Sequence, residues 1–115
     1  MNVLDQYFEL SDKAGTDKTV FQQLVDCFSE DAVIKSARGN IINGKSEIEK
    51  FFQEFFSRSK DLRHIWNSFQ ENKKLRAEWA VIGRRPDGGL FSFVGEDHAE
   101  IDDDQKIKRL EIVFK

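Results

Sequence analysis

The chain has one cysteine, one proline and two histidines in 115 residues, and each scarcity excludes something. Cys27 has no partner for an internal disulfide, so the fold is not a stapled secreted scaffold, and a reducing cytoplasm is the expected location. The opening MNVLDQYFELSDKAG sets Asp5, Glu9 and Asp12 among its apolar positions and lacks the basic start and unbroken apolar run of a signal peptide. No window is apolar for the length of a membrane span, so no membrane partner is expected. Basic charge is not in excess either: 18 Lys and Arg face 21 Asp and Glu, a net charge of −3 spread along the chain apart from Asp102, Asp103 and Asp104. Such a balance favours solubility and argues against a nucleic-acid partner.

Phenylalanine, by contrast, is abundant. Eleven Phe and two Trp supply enough bulky apolar surface for a short chain to build a core without disulfide or metal staples. The length suits one domain over residues 1–115, and folding is expected to need no cofactor.

The apolar period divides the chain. Val3, Leu4, Tyr7 and Phe8 recur at helical spacing, with Gly15 placed to end the helix in the left-handed conformation that glycine adopts cheaply. A second helix is predicted to begin near Thr16 or Asp17 and to carry Phe21, Leu24, Val25 and Phe28 on one face. For the third helix, Ser46-Glu47-Ile48-Glu49 has the form of a capping box, followed by a stripe of Ile48, Phe51, Phe52, Phe55 and Phe56. Between the second and third helices, residues 32–35 read as a short edge strand and Gly39 to Gly44 as a turn-rich return. From Asp61 the period becomes two, which predicts four antiparallel strands at about 62–71, 74–84, 90–101 and 106–114, broken at Arg85–Gly89 and Asp102–Gln105.

Alternation sorts these strands by face. Leu62, His64 and Trp66 share a side with Leu75, Ala77, Trp79 and Val81, with Phe91, Phe93, Asp97, Ala99 and Ile101, and with Leu110, Ile112 and Phe114. This side is expected to face the phenylalanine stripe of the third helix. Two polar residues interrupt it, His64 and Asp97, and each needs a reason because a buried polar group without a partner costs about 1–3 kcal/mol. The other side mixes Ile65, Phe69, Ile82, Val94 and Val113 with arginines and glutamates, a composition that predicts a homodimer through the outer sheet face.

The order of helix, helix, strand, phenylalanine-rich helix and four long strands resembles the nuclear transport factor 2-like superfamily, in its SnoaL-like branch named for polyketide cyclases. The resemblance is carried by Phe28-Ser29-Glu30-Asp31-Ala32-Val33, Gly44-Lys45-Ser46-Glu47-Ile48, Arg63-His64-Ile65-Trp66, and Gly95-Glu96-Asp97-His98-Ala99-Glu100-Ile101 before Lys106-Ile107. It implies an α+β, cystatin-like cone: three N-terminal helices packed on a curved, mainly antiparallel sheet, with a ligand pocket between them. Members include isomerases, cyclases, dehydratases and epoxide hydrolases, and also domains with no chemistry, so the fold does not settle function. Relatives commonly carry glycine in the last turn; here Asp104 or Gln105 must take the strained dihedral instead.

Two function classes follow. In one, the chain is a non-catalytic binding or dimerisation domain taking a small apolar molecule, with Tyr7, Phe52, Phe56, Trp66, Trp79, Phe91, Phe93 and Ile112 as walls. Those aromatic side chains equally serve as core. In the other, it is a cofactor-independent acid–base enzyme with Asp97 as general acid or base and His64 as proton partner. Structurally, Asp97 would instead cap a bend at Gly95 or pair with an arginine, and His64 would be a satisfied core histidine. Cys27 is expected to be an inert buried thiol and His98 an outer-face residue. No metal site is expected, because two histidines and one cysteine match no zinc spacing and Asp102–Asp104 lacks the pattern of a calcium loop.

Overall fold

The computed structural model describes residues 1–115, as α1 (Val3–Ala14), α2 (Lys18–Val25), β1 (Phe28–Lys35), β2 (Ile41–Asn43), α3 (Lys45–Ser57), β3 (Asp61–Glu71), β4 (Lys74–Arg84), β5 (Leu90–Ile101) and β6 (Ile107–Phe114). The six strands form one sheet in the order β2-β1-β6-β5-β4-β3, antiparallel throughout except where β1 runs parallel to β6. The three helices cover one face. This is the α+β cone expected above, and the four long strands begin and end within a residue of their predicted bounds.

Five local expectations are corrected. Gly15 ends α1 in the right-handed region, with φ −71°, so its left-handed freedom is unused. Phe28 is not on α2: that helix stops at Val25, and Phe28 opens β1, where Ile107 donates its N–H to Cys27 O and pins the strand to β6. The edge strand is β2, with β1 lying inside it. No capping box starts α3. Its N-cap is Gly44, at φ 85° and ψ 153° with no side-chain cap bond, and Ser46 lies in the first turn. The chain leaves β2 through a sharp turn in which Gly44 N–H bonds Ala32 O at 2.7 Å, a positive φ that glycine adopts at little cost. Lastly, Trp66 meets α1 rather than the stripe of α3, its ring stacked on Phe8 with centroids 5.2 Å apart.

Other signals behave as read. Asp17 caps α2 by accepting from Thr19 N and Val20 N, and Gln105 takes the left-handed dihedral of the last turn at φ 64°. A capping box not anticipated from the sequence holds α1: Asp5 N–H donates to Asn2 Oδ1 at 3.0 Å, and Asn2 N–H donates to Asp5 Oδ2 at 3.1 Å.

The helices divide the concave face. α1 lies over β3 and against α2, while α3 lies over β1 and β2. Phe52 is the hinge of the core, with its ring centroid 5.9 Å from Tyr7, 5.8 Å from Phe28 and 6.0 Å from Phe56. Neither α1 nor α3 reaches the far ends of β5 and β6, and there Phe93 and Phe114 remain 44 % and 50 % exposed.

Candidate functional site

Cross-strand register sets out the concave face in rows. His64 pairs with Val81 and Val81 with Phe93; Trp66 pairs with Trp79, Trp79 with Gly95 and Gly95 with Phe114. In the next row Ser68 pairs with Ala77, Ala77 with Asp97 and Asp97 with Ile112. Gly95 explains how two bulky rings share the middle row. A Cβ there would sit 2.5 Å from the Trp79 ring, so glycine lets the indole lie across β5 and aim its N–H at Asp97.

Both indoles are held by an aspartate. Trp79 Nε1–H donates to Asp97 Oδ1 at 2.9 Å, and Trp66 Nε1–H donates to Asp5 Oδ1 at 2.8 Å. The two carboxyls then diverge. Asp97 is 2 % exposed, and burial pushes its pKa up to about 7, a rise that the single bond from Trp79 offsets only in part. Burial acts on Asp5 in the same direction, but bonds from Ser68 Oγ, Trp66 and the Asn2 N–H outweigh it and hold the carboxyl below its usual range. The number of donors decides between them.

Tyr7 comes from α1 into the same interior. Burial pushes its hydroxyl well above the ordinary phenol value, and the neighbouring Asp97 adds to the rise. Cys27 is also buried, which pushes its thiol to about 11 and removes the thiolate that nucleophilic chemistry needs.

His64 does not meet Asp97. The two lie four residues apart along the strands and two strands apart across the sheet, about 16 Å by strand geometry. Its partner is Asp12, one helical turn beyond Phe8 on α1. Asp12 Oδ1 lies 2.7 Å from His64 Nδ1, and Asp12 Oδ2 accepts the His64 backbone N–H at 3.3 Å. The expected proton pair is thus replaced by two separate sites, each with its own carboxylate.

The eight expected wall residues divide three ways. Tyr7, Phe52, Phe56 and Trp79 are buried in the central cluster; Trp66, Phe91 and Ile112 are half-buried against it; Phe93 is exposed, stacked on Phe114 at 5.0 Å. Two cavities open elsewhere. One of about 680 Å³ crosses the outer face between Phe69, Arg76, His98, Arg109, Glu111 and Lys35, and one of about 470 Å³ lies between α1, α2 and the β5–β6 turn beside Gln6, Gln23 and Lys106. His98 lies on that outer face as expected. No group of three or more His, Cys, Asp or Glu side chains converges on a point where a metal would be held. No helix is long and apolar enough to cross a membrane.

The sequence marks Asp5 and Asp12 only as charges in the opening segment and Phe114 only as an inner-face residue, and assigns none of them to a site. Their signal was present: Asp5, Phe8 and Asp12 fall at i, i+3 and i+7, one stripe of α1, and that stripe faces β3. Acidic residues on both sides of a core phenylalanine indicate that the strand opposite presents donors.

Solved structures share this architecture. A nuclear transport factor 2-like protein of unknown function from Exiguobacterium sp. 255-15 is 29 % identical, with a TM-score of 0.88 over 99 % of this chain and 98 % of its own. A candidate polyketide cyclase from Xanthomonas campestris pv. campestris superposes with a TM-score of 0.78 at 16 % identity, over 98 % of this chain and 87 % of its own. A candidate SnoaL-like polyketide cyclase from Jannaschia sp. CCS1 gives 0.80 at 10 % identity, over 98 % and 83 %. No curated protein matches the chain. The family profile described as SnoaL-like domain matches residues 6–110, nearly the whole of the cone just described, and the chain belongs to that family.

Proposed function

We propose that this SnoaL-like chain is a non-catalytic binding and dimerisation domain. Two copies pair through their outer sheet faces, and the open end of the concave face takes a small apolar molecule against Phe91, Phe93 and Phe114. The observation that carries the reading is the placement of exposed apolar side chains. Ile65, Ala80 and Val94 share one cross-strand row with Ile82 in the next, and Ile65 is 75 %, Val94 54 % and Ile82 52 % exposed. The six strands, 53 residues in all, project roughly 840 Å² per face, close to the about 800 Å² per partner of a stable dimer.

The filled cone supports the non-catalytic half. Asp97 is sealed from solvent and engaged by Trp79, and most of the expected pocket walls are packed against one another. Sedimentation equilibrium at micromolar concentration tests the pairing: a dimer is expected, and Ile82→Glu combined with Val94→Glu should convert it to monomer. A monomeric wild type removes that half of the reading.

A second reading, a cofactor-independent acid–base enzyme, is favoured by one observation. Asp97, held near 7 beside Tyr7, is the kind of carboxyl that exchanges protons at neutral pH. Two relatives bear the name of candidate polyketide cyclases. That reading requires a turnover that Asp97→Asn abolishes while the protein stays folded.

A further inference from the structure

We infer that the two-fold axis of the outer-face dimer crosses β4 between Ala80 and Ile82, which sets Arg84 of each copy on Glu78 of the partner subunit and lays the β4–β5 turn of each copy in the outer-face groove of the other. The inference rests on the outer-face pairing proposed above and adds how two copies recognise one another.

Register lays the outer face out in rows across β3, β4 and β5. Arg63, Ile82 and Ser92 share one row, and Ile65, Ala80 and Val94 share the next. The rows that flank these two differ in charge. Toward the β3–β4 turn, Asn67, Glu78 and Glu96 place two carboxylates side by side; toward the β4–β5 turn, Arg84 lies between Asp61 and Leu90. Glu96 already takes Arg76 at 2.9 Å and Lys115 at 2.8 Å, whereas Glu78 accepts from the Asn67 amide at 3.3 Å. Arg84 reaches Asp61 at 3.4 Å, an exposed pair that contributes little by itself. The apolar patch thus runs from an acidic border to a basic one.

That polarity selects the axis. An isologous dimer puts the same patch on both copies, so its two-fold lies in the plane between the sheets. Stacked sheets sit about 10 Å apart with their strands nearly aligned. An axis along the strands would lay the acidic row on its own image, and like charges face to face are costly. An axis across the strands reverses the order of rows. Centred between Ala80 and Ile82, it exchanges the two apolar rows and brings each acidic border over the partner's basic one, because Glu78 and Arg84 lie about 10 Å from it on opposite sides.

The same rotation gives the outer-face groove an occupant. Pro86 and Asp87 lie about as far from the axis on one side as Arg76 and Lys74 do on the other. The groove, of about 680 Å³, is lined there by Phe69, Glu71, Lys74, Arg76, His98 and Glu100. Arg76 is fixed in it, over the Phe69 ring at 4.4 Å and bonded to Glu96. A polar lining suits a polar guest, and the turn is one. It is also slim: Gly88 and Gly89 carry no side chain, and the Arg85 N–H closes the turn on Gly89 O at 2.7 Å.

Charge exchange between copies tests this arrangement by sedimentation equilibrium of the full chain. Arg84→Glu and Glu78→Arg should each weaken the dimer by about tenfold or more, since the two-fold repeats every repulsion. Mixed one to one, the two variants should pair with an affinity within about threefold of the wild type, because every contact is again one acid on one base. Arg84 and Glu78 are about 20 Å apart within one copy, so the recovery can arise only between copies. The unaltered protein gives an independent reading. Carbodiimide coupling should join Asp87 to Lys74, residues about 40 Å apart within one copy and therefore linked only across the dimer. Variants that never recover on mixing, or an Asp87 that couples to other lysines but not to Lys74, would overturn this axis and leave the outer-face pairing standing. A wild type that is monomeric at every concentration would overturn both.

Discussion

On the concave face, Trp66 and Trp79 sit opposite each other with each indole N–H held by an aspartate, under helices that bring a phenylalanine to almost every gap. One residue away along the same strands, Ile65 and Val94 point outward and stay mostly exposed, with half-buried Ala80 between them. The pleat gives both faces the same strands, lengths and register. What differs is cover, and the residues respond to it. Where the helices reach, polar groups are few and paired; where they do not, apolar groups are left over. Burial alone therefore does not locate function in this chain. The informative features are a paired polar group among apolar neighbours on one face and unpaired apolar surface on the other.

The contrast breaks most readily at Phe52. It joins α3 to Tyr7, Phe28 and Phe56, so Phe52→Ala should cost about 3–5 kcal/mol in chemical denaturation, whereas an alanine at Ile41, exposed on the edge strand β2, should cost under about 0.5 kcal/mol. Equal losses would mean that the helices do not define the core.

Asp97→Asn should act with the opposite sign. Below about pH 4 the carboxyl is protonated in both the folded and the unfolded chain, and no penalty exists. As pH rises to about 7 the unfolded chain ionises while the folded carboxyl resists, so stability falls and then levels off. Asparagine keeps an acceptor for Trp79 and carries no charge. It should raise stability by roughly 2–4 kcal/mol at pH 8 and by almost nothing at pH 4, measured by thermal melts across that range. A loss of stability at pH 8 would mean that the ionised form is the stabilised one.

Asp5 provides the smaller, reversed control. Its folded carboxyl titrates below the ordinary value, so its contribution is present above about pH 4 and disappears as pH falls through the folded pKa. Asp5→Asn leaves one acceptor oxygen where the carboxylate offers two, so the bond from the Asn2 N–H or those from Trp66 and Ser68 are lost, which should cost about 1–2 kcal/mol at neutral pH and less under acid, read from the same melts.

Much of this architecture was legible in the sequence. The long strands announced themselves because an alternation sustained over eleven residues has no helical counterpart, and the same alternation sorted Trp66, Trp79 and Asp97 onto the inner face. Helix boundaries were less legible. Ser46-Glu47-Ile48-Glu49 fits a capping box by spelling, but the turn out of β2 was set by Gly44 and its bond to Ala32, a tertiary constraint that no local pattern records. Phe28 continued the apolar spacing of α2, yet pairing with β6 claimed it for a strand. At the candidate site, His64 and Asp97 were visible as polar exceptions, whereas their partners were not. Register separates the two along the sheet, and the partner of His64 is 52 positions earlier in the chain, on a helix whose docking angle the sequence does not state.

The solution mass of the wild-type chain across a micromolar dilution series, measured by light scattering beside the Ile82→Glu variant, tests the central claim most directly. The account predicts a dimer that dissociates on dilution and a variant that is folded, monomeric throughout and has a melting temperature that does not change with concentration. A wild type that stays monomeric at every concentration would contradict it, and the exposed Ile65, Ile82 and Val94 would then need another explanation.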